Sequence, residues 1–302
     1  MGRLIRGFLQ SNWRSVKKQD EKRLAAQTPI PGITQVRDLP YINDENRMHL
    51  LDIYYPEQTR GLLPVIIDIH GGGWMYGTKE LNRNYNLTLA AEGFAVVNLN
   101  YRLLPETDLR GQVQDIFACL RWLTENGAGF HCDLEQAFLT GDSAGGHLAG
   151  LTLCILLSPE LQDLYGVTGA GFRIRAAALS HGVCKLRGKP LSGFGILDRE
   201  MFRLWFGDKP EQNPIYNHSG FEETARGLTL PPMLLISSEP DRYHYQSLAL
   251  EQYLGGTGGV YRTKFWKREQ GKQLGHVFHI LYPHWRESIE TNREMSRFFK
   301  EF

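Results

Sequence analysis

Cysteine is scarce in this sequence: four in 302 residues (Cys119, Cys132, Cys154 and Cys184), none in a C-x-x-C pair. That excludes a disulfide scaffold and argues against a structural zinc site, so all four are expected as free thiols in a core. Charge of one dominant sign is lacking too. Thirty-four basic residues face 33 acidic ones, a net of +1 with histidine neutral, which gives the whole chain no pull toward nucleic acid or an anionic surface. Long apolar runs are missing. The longest, residues 148–157, is about half of the roughly 20 residues that cross a bilayer, and it fits a buried helix instead. Arg3 and Arg6 precede no apolar stretch with a small-residue cleavage site, and Arg6 stands where the myristoylation pattern has Ser or Thr. The expectation is a cytoplasmic protein with no integral membrane span. The ten histidines are dispersed and no H-E-x-x-H motif occurs, so no metal site is expected.

What the chain does have is enough apolar material, 42% against 22% charged, to bury a sizeable core. Residues 1–27 stand apart. Arg3, Arg6, Arg14, Lys17, Lys18, Lys22 and Arg23 outnumber Asp20 and Glu21, and Ile5, Leu9, Trp13 and Val16 recur at helical spacing. This predicts an amphipathic helix with a basic outer face, docked on the body or forming part of a lid, with membrane-surface or partner binding as the other reading. Pro29, Pro31 and Gly32 end it. Beyond residue 45, strands are predicted at 48–54, 64–69, 94–100, 135–140, 174–180, 232–238 and 260–266, with helices clearest at 113–126, 144–157, 245–254 and 284–300. Near-continuous apolar strands in βα alternation predict an α/β fold, a mostly parallel sheet with helices on both faces. Residues 181–230 break the rhythm with Gly, Pro and the aromatics Phe194, Phe202, Trp205, Phe206 and Tyr216, a stretch longer than one crossover needs. The expected organisation is an N-terminal helical segment, 1–45, contributing to a cap, then a domain over 46–302 with a cap insertion at about 181–230.

Gly141-Asp142-Ser143-Ala144-Gly145 follows one predicted strand and opens a helix. A nucleophile elbow needs that context: a turn so tight that small residues flank the serine, leaving its hydroxyl exposed at the strand end. The bare pattern would arise by chance about 0.1 times in such a composition, so the strand-turn-helix setting carries most of the weight. His70-Gly71-Gly72-Gly73-Trp74 follows another strand. Consecutive glycines let backbone N–H groups turn into a cleft, as an oxyanion requires. His70 itself fits a turn residue that fixes this loop. A serine nucleophile needs a base, and the base a group that holds its tautomer. Asp241 follows the strand at 232–238, with Glu239 as its rival; His276, directly after Gly275, follows the strand at 260–266, with His279 and His284 as competitors.

Together, HGGGW at 70–74, Asn100-Tyr101-Arg102-Leu103-Leu104-Pro105-Glu106, GDSAGG at 141–146 and the Asp241 and His276 segments resemble the hormone-sensitive-lipase-like family of α/β-hydrolase esterases, from about residue 48 onward. The resemblance implies the α/β-hydrolase fold, a serine carboxylesterase without a cofactor, and a cap built partly from N-terminal helices. It puts the nucleophile on Ser143, the acid on Asp241, the base on His276 and the oxyanion-binding N–H groups on Gly72, Gly73 and Ala144. Two segments depart from the family. Arg242-Tyr243-His244-Tyr245 follows Asp241 in place of the usual Pro-Leu-Arg-Asp, and His276-Val277-Phe278 replaces His-Gly-Phe, a change met among relatives that act on acetylated sugars. The expected substrate is a small-molecule ester with a short acyl group, acetylated carbohydrates included. Trp74 and the cap aromatics offer an apolar wall or a platform for a sugar ring, while packing inside the cap is the reading expected for most of them, so they do not settle the substrate. An amidase or arylformamidase-like hydrolase on the same triad is one alternative, and a non-catalytic ligand-binding protein on the same scaffold is another.

Overall fold

A computed structural model describes residues 2–28, 30–186, 195–270 and 273–302. Helix α1 (Gly2–Ala25) is followed by β1 (Ile33–Pro40), β2 (Leu50–Pro56), β3 (Leu63–Ile69), α2 (Arg83–Ala91), β4 (Ala95–Leu99) and α3 (Leu109–Asn126). The next elements are β5 (Cys132–Asp142), α4 (Ala144–Leu156), α5 (Pro159–Tyr165), β6 (Ile174–Ser180), α6 (Gly195–Phe206) and α7 (Phe221–Thr224). Then come β7 (Met233–Ser238), α8 (His244–Thr257), β8 (Tyr261–Trp266), α9 (Phe278–Leu281) and α10 (Arg286–Lys300). The strands form one sheet in the order β1-β2-β4-β3-β5-β6-β7-β8. β2 pairs antiparallel with both β1 and β4, and every pairing from β4 to β8 is parallel.

Alternation along the strands sorts side chains into two apolar layers, as a sheet covered on both faces requires. Val65, Ile67 and Ile69 of β3 face α3 and α4, where Phe117, Leu148 and Leu151 are fully buried. Ile66 and Val96 face the opposite layer, closed by Tyr85 and Leu89 of α2 and Met295, Phe298 and Phe299 of α10. Helix α4 is buried along nearly its whole length, which accounts for the apolar run at 148–157. The four cysteines are free and buried, and no described helix is long and apolar enough to cross a membrane.

One element departs from the sequence expectation. Residues 33–40, assigned above to a helical N-terminal segment, form the antiparallel edge strand β1, whose register shifts between Val36 and Leu39. Arg37, Asp38 and Pro40 interrupt its alternation, and an edge strand with one open side tolerates them.

Within residues 181–230, Phe202, Trp205, Phe206 and Tyr216 pack on one another with ring centroids 5.2–6.4 Å apart, so these rings fill the inserted segment's own interior. Phe194 lies outside the described residues. α1 contacts α6 and lies across the C-terminal edge of the sheet, where Trp13 stacks on Tyr76 at 4.9 Å and the Tyr76 hydroxyl donates to Asp20 at 2.9 Å.

Candidate active site

Ser143 sits between β5 and α4 at φ 53°, ψ −116°, a strained backbone of the kind that functional turns hold at a cost of about 1–3 kcal/mol. The turn is pinned on both sides: the Ser143 N–H donates to Ser180 at the end of β6, and its carbonyl accepts from His147 and Val183. A Cβ on Gly145 would collide with the Ile69 and His70 carbonyls, so β3 approaches too closely for any larger residue. That contact is the physical content of the G-x-S-x-G spacing.

The glycine loop after β3 is tied to this turn. Gly71 N–H donates to Asp142 Oδ1 at 2.9 Å, and Asn82 Nδ2 donates to the same oxygen at 2.9 Å and to Asp68 Oδ2 at 3.0 Å. Burial pushes the Asp142 carboxyl up, and burial together with the Asp142 charge raises Asp68 to about 7. Gly72 and Gly73 adopt φ 121° and 59°. Among the described residues no group accepts from the N–H of Gly72, Gly73 or Ala144. Gly72 and Gly73 line the same cavity as Ser143, and Ala144 opens α4 directly after it. The loop rests on His70, whose carbonyl accepts from Tyr101 at 2.8 Å and whose buried imidazole, lowered to about 4, lies 2.7 Å from the Gly71 carbonyl.

The structure brings His276 and Asp241 to the serine. His276 Nε2 lies 2.8 Å from Ser143 Oγ, and its Nδ1 lies 2.9 Å from Asp241 Oδ2. Asp241 Oδ1 accepts from the Tyr243 N–H at 2.9 Å. Burial raises the Asp241 carboxyl, but the imidazole donors outweigh it and hold the group well below the usual carboxylate range. The competitors lie elsewhere. Glu239 accepts from the Arg268 N–H at 3.0 Å. His279 is buried against Asn292 at 2.8 Å and lowered to about 3 by that burial, and His284 is exposed near α10.

Trp74 is not brought to this group. It is buried, edge-on to Trp205 at 4.8 Å, and its Nε1–H donates to His147 Nδ1 at 3.1 Å. His147 in turn donates from Nε2 to the Ser219 carbonyl at 2.6 Å, so this indole anchors the glycine loop to the inserted segment. The cavity over Ser143 measures about 330 Å³, with Trp13, Val16 and Arg23 of α1 forming one wall and Tyr243 and His276 another. Two larger surface grooves, about 510 and 430 Å³, lie near α5–α7 and along α10 and do not adjoin Ser143.

Several residues around the site escape a reading of the sequence. Asp142 and His147 stand inside and beside the serine motif, and only their contacts give them a part. His181, whose Nδ1 lies 2.7 Å from Asp241 Oδ2, had one available signal: it ends a parallel strand, where α/β sheets place their functional groups.

The BD-FAE family model matches residues 51–252. The chain is similar to Esterase B from Lactobacillus Rhamnosis (HN001), with a TM-score of 0.95 and 38% identity over 99% of this chain and 95% of that one. Tuliposide A-converting enzyme b2, amyloplastic, from Tulipa gesneriana is 31% identical over 86% of this chain and 70% of its own length. A probable isoprenylcysteine alpha-carbonyl methylesterase, ICMEL2, of Arabidopsis thaliana is 28% identical over 53% of this chain, and the match spans only 39% of that protein. With the family model matching well over half of the chain and the whole fold superposing on an esterase, the chain belongs to the BD-FAE family and to the hormone-sensitive-lipase-like esterases of the α/β-hydrolase fold.

Proposed function

We propose that the protein is a carboxylic ester hydrolase in which Ser143 is the nucleophile, His276 the base, Asp241 the orienting acid, and the N–H groups of Gly72, Gly73 and Ala144 the oxyanion donors. The observation that carries the reading is the row of contacts from Ser143 Oγ to His276 Nε2, 2.8 Å, and from His276 Nδ1 to Asp241, 2.9 Å. A carboxylate only accepts, so Nδ1 carries the proton and Nε2 is left as the base. The serine proton passes to Nε2 as Oγ attacks the ester carbonyl. The carbonyl oxygen becomes an anion that takes up the N–H groups of Gly72, Gly73 and Ala144, which have no acceptor among the described residues, each worth about 3 kcal/mol of barrier in such sites. His276 then protonates the leaving alcohol, and water, deprotonated by the same nitrogen, releases the acid.

The substrates we propose are short-chain acyl esters, acetylated carbohydrates among them. A cavity of about 330 Å³ walled by α1 supports a short acyl group, and Esterase B has been solved inhibited by a C4-C4 tributyrin phosphonate, which adds short-acyl glycerides to the class. We also assign α1 and residues 181–230 jointly to a cap, a division supported by the packing of α1 on α6. The test is an ester panel varying acyl length and alcohol, run on the wild type and Ser143→Ala. The substitution should abolish turnover of p-nitrophenyl acetate and labelling by a fluorophosphonate; wild-type turnover in that variant would end the assignment.

A further inference from the structure

We propose that His181 is a positioning residue for the reaction: its Nδ1–H, donated to Asp241 Oδ2, holds the carboxylate in the orientation that keeps His276 aimed at Ser143. The inference rests on Asp241 acting as the acid of the triad. Asp241 Oδ2 accepts from two imidazoles, His181 Nδ1 at 2.7 Å and His276 Nδ1 at 2.9 Å, with their rings 5.6 Å apart and nearly perpendicular. With the Tyr243 N–H on Oδ1, both carboxylate oxygens are held, and rotation about χ2 would break bonds at both. Two of these three donors are not the base itself. His181 is fully buried, while the His276 side chain is 29% exposed; the rigid imidazole therefore orients the carboxylate for the more accessible one.

The way His181 is held supports this role. It bends off the end of β6 at φ 51°, a left-handed backbone unusual for a side-chain-bearing residue, and its N–H donates to Ile236 of β7 at 2.7 Å. The preceding residue, Ser180, accepts from the Ser143 N–H, so one strand end carries both the serine turn and the donor to the acid. Among the described residues the one ring hydrogen bond of His181 is to Asp241, and its Nε2 is buried with no partner there, so no second contact competes for the orientation of the ring. Burial lowers the His181 imidazole despite the carboxylate, so it remains a neutral donor whose proton sits on Nδ1. The ionisable groups facing this cluster are His244 at the start of α8, His279 on α9, Asp142 beside the serine, and Tyr243 with Arg242 over its ring.

The test compares kcat and KM for p-nitrophenyl acetate across pH in the wild type, His181→Asn, His181→Gln and Asp241→Asn. The asparagine amide can stand where Nδ1 does; the glutamine amide reaches the Nε2 position instead. For His181→Gln we expect kcat to fall roughly 10–100-fold, as for partners one step removed from the reacting groups, with KM within about twofold. The acid limb of kcat/KM should move up by about half a pH unit, because an Asp241 charge less neutralised by donors favours the protonated base. His181→Asn should keep kcat within about threefold and leave the limb in place. Equal losses in the two variants, or a glutamine variant with wild-type kcat and pH profile, would overturn the proposal. Asp241→Asn separates the two levels: if it turned over normally, the triad assignment would fail before any role for His181 arose. If the glutamine variant does not fold, the wild type carries the test. Imidazole nitrogen NMR should find His181 neutral and protonated on Nδ1, and protonation on Nε2 would overturn the inference.

Discussion

Replacing Gly72 with alanine probes the oxyanion loop without touching the serine, the imidazole or the carboxylate. At φ 121° an L-residue is strained, and the new Cβ would strike the Tyr76 carbonyl, whose own N–H closes the turn onto Gly72 at 3.0 Å. The ends of the loop cannot absorb the shift. Gly71 is held by Asp142, the Trp74 carbonyl accepts from Gln112 Nε2 and the Leu104 N–H, and the Trp74 indole is held by His147. Displacement therefore concentrates on the peptides at 72 and 73. Backbone strain of this kind costs about 1–3 kcal/mol, which in a domain of this size lowers Tm by roughly 2–5 °C. Misplacing one donor removes about 2.7–4 kcal/mol of transition-state stabilisation, so kcat on p-nitrophenyl acetate should fall about 10²–10³-fold. KM should change less than about threefold, because the oxyanion exists only beyond the ground state. Fluorophosphonate labelling should slow in parallel, since the phosphonyl oxygen seeks the same donors. A folded Gly72→Ala protein with wild-type kcat would refute the assignment of this loop.

Asp68→Asn should preserve the fold, since its oxygen can still accept from Asn82 and Asn86. The native carboxyl is raised to about 7, so the unfolded chain loses its proton first and the native state loses stability as pH rises from about 4 to 7; the variant should gain up to about 4 kcal/mol at pH 8 and little at pH 4 in chemical unfolding. No gain at pH 8 would sink that reading. His70, His147 and His279 are neutral and buried, lowered to about 4, 4 and 3, so stability is full above about pH 6.5 and should decline on acidification toward 4, the three protons outweighing the opposite effect of Asp68. A denaturant midpoint that rises between pH 6.5 and 4.5 would contradict this. Trp13→Ala removes an indole stacked on Tyr76 at the cavity wall; it should cost about 1 kcal/mol of stability and shift the preference in kcat/KM toward longer acyl chains, and an unchanged acyl profile would exclude α1 from the acyl site.

The sheet was legible because its parallel strands are buried on both faces, so apolar runs such as residues 95–97 and 234–236 announce themselves wherever they fall. β1 was not, since an edge strand needs only one side of its pattern and tolerates Asp38 and Pro40. The same contrast runs through the site. The serine and glycine motifs are local: each is a turn whose residues touch one another and their neighbouring strand, so the constraint is written within five positions. The proposed acid and base are loop residues 98 and 133 positions from the serine. Only their place after predicted strands pointed to them, so Glu239, His279 and His284 stay open in the sequence; the contacts running from Ser143 through His276 to Asp241 are what supports the proposed pair. Trp74 shows the converse. Adjacent to the glycines and aromatic, it invites a role against substrate, but a left-handed backbone at φ 62° swings its indole inward to Trp205 and His147.

That inward turn has a functional consequence. Trp74 Nε1, His147 and the Ser219 carbonyl form a continuous buried chain from the glycine loop through α4 to the inserted segment. Asp142 and Asn82 form a second chain from the same loop to the serine turn and Asp68. Each member is buried, and leaving one unpaired would cost about 1–3 kcal/mol. Held from both sides, the loop keeps one arrangement, and in the proposed mechanism its N–H donors are set before substrate arrives. Preorganisation of that kind makes backbone N–H groups effective, because no reorganisation is needed when charge develops. The rest of the cavity wall, Trp13 and Val16 on α1 together with Arg242 and Tyr243 beyond the proposed acid, lies outside both chains, so substitutions there should alter substrate preference without disturbing the proposed oxyanion donors.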